Sequence, residues 1–458
     1  MSARLYNVGV GGEFDVGPSA NRGGVVTEWK NRRLHFIAIG GAGMSGLALV
    51  AHRLGATVSG SDRADSSYME RLRAAGLDPR VGHDADAVPE AAEVVVSTAI
   101  AEDNPELARA RERKQPILHR GELLARVCAE RRLVAVAGTH GKTTTAGMIA
   151  HVLRVTGADP SFLLGGELMS ADGERTNADW GEGEWIVAEA DESDASFLAL
   201  RPEAAVVTNV ELDHHSHWSS RAELLDAFER FCGSAAGEAV LADPDLDALC
   251  GGPRVVPFDA DGPGPELHLA VPGAHNVLNA RAALAAIELI GEPPLAAAAA
   301  ALADFPGMAR RLERKGRRDG AVIFDDYAHH PTEVAAAIAA LRDLHPRRLV
   351  AVFQPHLYSR TKALGDGFGA ALAAADEIGV LEVYPAREAP VGELAGVSGL
   401  SIAEATADRA GGRPVWWLRD SEHAREALGP RLGEGDVLVT LGAGDISKLA
   451  DALVEERP

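Results

Sequence analysis

The residues best suited to chemistry lie in the run Gly138-Thr-His-Gly-Lys-Thr143. Glycines let backbone amides approach an anion, a lysine ammonium neutralises phosphate, and a threonine hydroxyl reaches a divalent cation. Just before it, Leu133-Val-Ala-Val-Ala137 is apolar and predicts a buried parallel strand. Just after it, Met148, Ile149, Val152 and Leu153 recur at helical spacing and predict a helix over Thr144–Arg154. Strand, glycine turn, lysine, threonine and helix together hold a nucleoside triphosphate. This places Gly138, Thr139, His140, Gly141, Lys142, Thr143 and Thr144 around the phosphates of that nucleotide, with Mg2+ at Thr143. Lys142 reads as an exposed loop lysine. Val136 stands where the eight-residue form of this loop has its first glycine. The competing reading, a plain glycine turn before a helix, does not explain Gly-Lys-Thr straight after such a strand.

A second reactive set follows. Trp185-Ile-Val-Ala-Glu-Ala-Asp-Glu-Ser-Asp194 is an apolar strand that delivers Glu189, Asp191, Glu192 and Asp194 in quick succession. Carboxylates beside a phosphate loop suit Mg2+; a solvated acidic loop is the alternative. The next strand, Ala204–Val210, ends in Glu211-Leu-Asp-His-His215. That brings Asp213 and His214 within reach of a metal or a reacting phosphate, while His215 and His217 read as surface residues. Asn276 and Asn279 share one face of an alanine-rich helix. Amide side chains suit an adenine edge, and Asn276 could equally cap that helix.

Two further sets of elements must position these groups. Leu34–Ile39, the turn Gly41-x-Gly43-x-x-Gly46, a helix over about Met44–Leu54 and Thr57–Asp62 read as a βαβ unit. It has a dinucleotide-type turn, and Asp62 is placed for a ribose hydroxyl. The strand Glu93–Ile100 brings Ser97 to a carboxyl end, where open parallel sheets bind ligands. His83 and His119 read as structural. Beyond residue 307, strands are predicted at Val322–Tyr327, Leu349–Gln354, Glu377–Val383, Val415–Leu418 and Val437–Leu441. Their ends gather Asp326, Tyr327, His329, His330, His356 and Arg360 at one sheet edge, where an arginine and several histidines suit an amino-acid carboxylate.

With 458 residues the chain exceeds one core, and two to four domains are expected. A net charge of −22 argues against nucleic acid or an anionic membrane as partner. It leaves room for phosphorylated ligands held by local basic pockets and backbone amides. Cys128, Cys232 and Cys250 form no metal-type spacing and fit a reducing cytoplasm. No apolar run reaches 18 residues. Residues 1–33 read as a loose tail.

These motifs, in this order, resemble the Mur ligases of peptidoglycan synthesis. The resemblance runs from about residue 34 to the end. It rests on Gly40-Gly-Ala-Gly-Met-Ser-Gly46, Gly138-Thr-His-Gly-Lys-Thr-Thr144, Glu189-Ala-Asp-Glu-Ser-Asp-Ala-Ser-Phe197, Asp326-Tyr-Ala-His-His-Pro-Thr-Glu333 and Phe353-Gln-Pro-His356. It implies an α/β fold of three domains. These are a Rossmann-like UDP-sugar domain over 34–132, a central P-loop ATPase-like domain over 133–306, and a C-terminal doubly wound (Rossmann-like) domain over 307–458 that brings the amino acid. The implied substrates are ATP, UDP-N-acetylmuramate and L-alanine, joined through an acyl phosphate by a cytoplasmic monomer or weak dimer. The alternative within the family is attachment of a murein tripeptide to the same UDP-sugar, against which Ser193-Asp-Ala-Ser196 leans.

Residue by residue, the resemblance implies catalytic roles for Lys142, Glu189 and His214, with Mg2+ held by Thr143, Glu189 and His214. Arg311, Asp326, Asn276 and Asn279 would join the phosphate loop in binding ATP. Gly41, Gly43, Gly46, Ser61, Asp62, Ser97, Glu192 and Ser193 would bind the UDP-sugar. Tyr327, His329, His330, His356 and Arg360 would bind the amino acid. Leu357 stands where relatives usually have arginine, which leaves Arg360 to pair with the carboxylate. Some Mur ligases carry a carbamylated lysine in the central domain; no lysine occurs here between Lys142 and Lys315, so none is expected. A dehydrogenase built on the first glycine turn would leave the phosphate loop unexplained. An ATP-driven switch would release phosphate regardless of UDP-sugar or amino acid.

Overall fold

The computed structural model describes residues 25–211, 218, 220–235, 238–241, 255–260 and 264–454. Asp213, His214, His215 and His217 lie outside them. The expected tail is not loose at its end. Helix Val25–Lys30 leads into the first strand, and Trp29 is buried, its indole N–H donating to Glu130 at 2.8 Å. An amphipathic tryptophan docked in this way fixes a segment whose composition otherwise looks unstructured.

Three sheets follow. The first is five-stranded and wholly parallel, in the order Arg80–Val81, Thr57–Asp62, Arg33–Ile37, Glu93–Val96, Ile117–His119. Its first strand ends at Ile37, two residues early, because Ala38 adopts φ 64° and turns the chain into the glycine loop. The central sheet runs Val255–Pro257, Glu238–Leu241, Ala204–Val207, Arg132–Ala137, Trp185–Glu189, Ser161–Met169, Arg175–Asp179. The third runs Glu313–Arg318, Ala321–Asp326, Asp436–Leu441, Arg348–Phe353, Glu377–Val380, Val415–Trp417. Only Arg175–Asp179 and Glu313–Arg318 pair antiparallel among the described strands.

Both faces of the central sheet are covered, as its unbroken apolar strands require. Leu133, Ala135 and Ala137 feed one core, and Val134 and Val136 feed the other. The first of these cores continues without a break into Leu34, Phe36 and Leu47 of the first unit. The seam is tight. Helix Ala42–Arg53 packs on the hairpin of Ser161–Met169 and Arg175–Asp179, and Asn177 donates to the Ala42 carbonyl at 2.6 Å. A Cβ at Gly46 would stand 3.2 Å from Ala178 Cβ and 3.3 Å from Leu163 Cδ2. The third glycine of the turn therefore serves helix-to-sheet approach across the seam.

Candidate active site

The strand ends of all three sheets meet at one cleft of about 690 Å3. Gly43 and Gly46 line it from the first unit, and Arg120 and Gly121 from the start of helix Arg120–Cys128. Thr139, Gly141, Lys142, Thr143, Glu189, Asp191 and Ser193 line it from the central unit, facing Arg310, Arg311, Tyr327, His329 and Glu333 of the third.

The phosphate loop needs its glycines. Gly138 and Gly141 adopt φ of 125° and 83°, and a Cβ at Gly141 would sit 2.4 Å from Asn279 Oδ1. The left-handed turn at Gly141 starts the helix at Lys142, two residues before the expected Thr144. The first-turn amides at 142–144 therefore lack acceptors inside the helix and are available to an anion.

Lys142 is not an exposed loop lysine. Its Nζ lies 2.5 Å from the Gly138 carbonyl and 3.0 Å from Glu192, whose side chain is 1% exposed. Burial alone would depress this ammonium, but the carboxylates of Glu192, Asp191 and Glu189 outweigh it and hold the lysine charged. Glu192, expected at the UDP-sugar, is instead the buried partner of Lys142. The Thr143 hydroxyl donates to Glu189 at 2.9 Å, and the Gly165 amide donates to Glu189 at 2.8 Å. Asp191 pairs with Arg120 at 2.8 Å. Burial pushes its carboxyl up, yet Lys142 and Arg120 together hold it ionised, well below the usual range.

Several residues expected at ligands are committed elsewhere. Ser61 is fully buried and donates to Glu106 at 2.7 Å, with His83 at 2.8 Å, so it braces the first sheet. Asp62 accepts the Gly40 amide at 3.0 Å, pinning the glycine turn from behind. Ser97 follows its strand outside the cleft. Asn276 donates to the Pro272 carbonyl at 2.7 Å and accepts from Asn279 at 3.3 Å. It does not cap its helix, whose N-cap is Gly273. The pair lies under the phosphate loop, where Asn279 accepts the Thr145 hydroxyl at 3.3 Å. Asp326 is buried and takes the Leu312 and Ala328 amides, each at 2.7 Å; burial pushes its carboxyl up to about 6. It fastens the linker to the strand end, which leaves Arg311 the nearer of the two to the cleft.

In the third unit Tyr327 lies under both Arg310 and Arg311, with guanidinium carbons 4.9 and 5.2 Å from its ring centre. His330 caps helix Pro331–Arg342, and its ring lies 5.0 Å from that of His140, tilted by 35°. His356 lies parallel to Tyr384 at 5.7 Å. Leu357 holds φ 69° at the start of helix Tyr358–Leu372, which carries Arg360. That backbone is strained for a branched side chain, a feature common at binding sites.

His329 and His356 are both pushed down to about 4, chiefly by burial, with Arg360 adding to the effect. Both rings are neutral at pH 7, so the positive charge for a carboxylate comes from arginine. An unfolded histidine takes its proton near 6.5. Between about 6.5 and 4 the unfolded chain therefore binds more protons, and stability falls as pH drops through that window. The melting temperature of His329→Asn is expected to be less sensitive to acid than that of the parent between pH 7 and 4. Equal slopes would refute the burial account.

Three contributors escaped the sequence reading. Arg120 follows His119 at the end of a three-residue strand too short to register. Gly165-Gly-Glu167 interrupts the apolar run Phe162–Leu164, masking the hairpin that lines the cleft. Glu333 ends the Asp326–Glu333 motif, where its sequence position alone assigns it no role. Its carboxylate takes the His329 amide at 3.0 Å and lies 3.0 Å from His140 Nδ1. Burial would raise it, but His329, His140 and Arg311 hold it well below the usual range.

Residues 33–132 match the catalytic domain of the Mur ligase family, residues 136–246 the Mur ligase middle domain, and residues 310–444 the Mur ligase glutamate ligase domain. The UDP-N-acetylmuramate–L-alanine ligase of Rubrobacter xylanophilus is 43% identical over 92% of this chain and 99% of its own. The structure of UDP-N-acetylmuramate-alanine ligase from Thermotoga maritima superposes with a TM-score of 0.79 at 29% identity, covering 92% of this chain and 98% of that one. A murein peptide ligase from Psychrobacter arcticus shares the fold, with a TM-score of 0.67 at 24% identity over 92% and 98% of the two chains. Matching domains over most of the chain, in the order the sheets themselves follow, place this protein in the Mur ligase family.

Proposed function

We propose that this protein is an ATP-dependent ligase that joins L-alanine to the lactoyl carboxylate of UDP-N-acetylmuramate, acting in the cytoplasm as a monomer or weak dimer. The observation that carries this reading is the single cleft in which Lys142 and the Thr143–Glu189 pair face Arg311, Tyr327 and His329. The glycine turn of the first unit opens onto the same space and serves the UDP-sugar. Among the described residues no helix is long and apolar enough to cross a membrane.

A carboxylate oxygen of the sugar attacks the γ-phosphoryl group and ADP leaves. The amine of L-alanine then attacks the acyl carbon, and the tetrahedral intermediate expels phosphate to leave the amide. Lys142 neutralises charge on the transferring group, and positioning supplies most of the rest. The oxygen donors of Thr143 and Glu189, side by side at a strand end, fit Mg2+, which would supply charge neutralisation at the phosphates. Enclosure by three units excludes the water that would hydrolyse the acyl phosphate.

The alternative, attachment of a murein tripeptide, draws less support because relatives 43–44% identical over most of the chain are L-alanine ligases. ADP release with UDP-N-acetylmuramate is expected with L-alanine and not with the tripeptide. Release with tripeptide alone would reverse that choice, and release without any UDP-sugar would remove the ligase reading.

A further inference from the structure

Between the phosphate loop and the C-terminal unit, His140, Glu211 and His330 bring one ligand atom each within 4.8 Å of one another. Among the described residues no other trio of histidine, cysteine, aspartate or glutamate does so. We propose that this trio binds a zinc-class divalent cation, separate from the Mg2+ at Thr143 and Glu189, and that the cation fastens the phosphate loop to the C-terminal unit.

The donor set argues for the class of metal. Two imidazoles and one carboxylate suit zinc, cobalt or nickel, whereas Mg2+ prefers oxygen alone. All three donor atoms lie within 4.8 Å of one another, so forming the site draws the His330 nitrogen inward by at most about 1.5 Å. Donors on a tetrahedral zinc stand about 3.3–3.5 Å apart, and His140 Nε2 already lies 3.0 Å from Glu211. The supporting contacts are of the kind metal-bound histidines use. The other ring nitrogen of His140 lies 3.0 Å from Glu333, so a carboxylate backs the ligand imidazole. Glu211 is itself held by the Thr332 hydroxyl at 3.1 Å. The Glu211 side chain is 43% exposed, which leaves the fourth position to water.

The trio also straddles a boundary. His140 belongs to the phosphate loop and Glu211 to the central unit, whereas His330 opens helix Pro331–Arg342 of the third. Without metal, His140 donates from both ring nitrogens, Nε2 to Glu211 and Nδ1 to Glu333. Zinc replaces the Nε2 proton, which leaves to solvent, and adds His330 to the bridge. A bound cation thus favours the arrangement in which the two units are closed.

Equilibrium dialysis of the full chain against zinc, with excess Mg2+ present, is expected to give one zinc per chain. Cobalt as a probe should show the intense visible absorption of a four-coordinate site. Glu211→Gln and His330→Asn should each weaken zinc by at least about tenfold, and Glu333→Gln, which removes only the backing carboxylate, by about ten- to a hundred-fold. Glu189→Gln should leave zinc binding intact. Circular dichroism establishes that each variant is folded, and the exposed Glu211 supplies a variant that does not disturb the helix cap. No zinc on the parent, unchanged affinity in Glu211→Gln, or loss in Glu189→Gln instead would each overturn the proposal.

Discussion

Lys142→Ala is expected to cut turnover by at least about 10^2–10^3-fold and to lower stability by about 3 kcal/mol. The first effect follows from removing the point charge on the transferring phosphoryl group. The second follows from burial, since Glu192 would lose its ammonium partner inside the protein. Breaking a buried pair from one side strands the other charge, and that cost exceeds the net worth of the pair. The two effects separate in a second variant. Adding Glu192→Gln to Lys142→Ala should recover much of the melting temperature and none of the turnover. A single variant that still made amide near the parental rate would remove Lys142 from the chemistry. A double variant no more stable than the single would remove the buried-pair argument.

Arg360→Ala is expected to raise the Michaelis constant for L-alanine by about ten- to a hundred-fold, the loss of a charge-assisted pair worth about 1.5–3 kcal/mol. The constant for the UDP-sugar should stay where it is. The neutral states of His329 and His356 strengthen this expectation, because they leave arginine as the source of positive charge beside the carboxylate. Arg360→Lys keeps charge and loses the planar fork, so it should recover only part of the affinity. Asp62→Ala should act at the other end of the cleft. It releases the Gly40 amide and with it the glycine turn, so the constant for the UDP-sugar should rise and that for alanine should not. If Arg360→Ala changed only the UDP-sugar constant, the assignment of substrates to units would be wrong.

The elements built on periodicity and glycine were legible in the sequence. The run 133–137, its two required glycines and the strand ending at Glu189 are local signals, and the structure sets them side by side. What was not legible depended on partners far along the chain. Ser61, Asp62, Asp326 and Glu192 have the right chemistry at the right strand ends, but Glu106, the Gly40 amide, the Leu312 amide and Lys142 claim them first. No spacing rule says whether a polar side chain at a strand end faces the ligand or the wall behind it. The same limit hid Arg120 and Glu333, whose importance lies in Asp191 and His140 many residues away. The hairpin from Ser161 was lost because two glycines and a bulge break the alternation that marks a strand.

The central claim is that the carboxylate of the UDP-sugar is phosphorylated in the shared cleft before the amine attacks. The most direct test labels both oxygens of the UDP-N-acetylmuramate carboxylate with oxygen-18 and analyses the phosphate released with ATP and L-alanine. Phosphoryl transfer to that carboxylate, followed by loss of phosphate from the acyl carbon, predicts one labelled oxygen in every phosphate formed. Unlabelled phosphate released in step with amide would contradict the account.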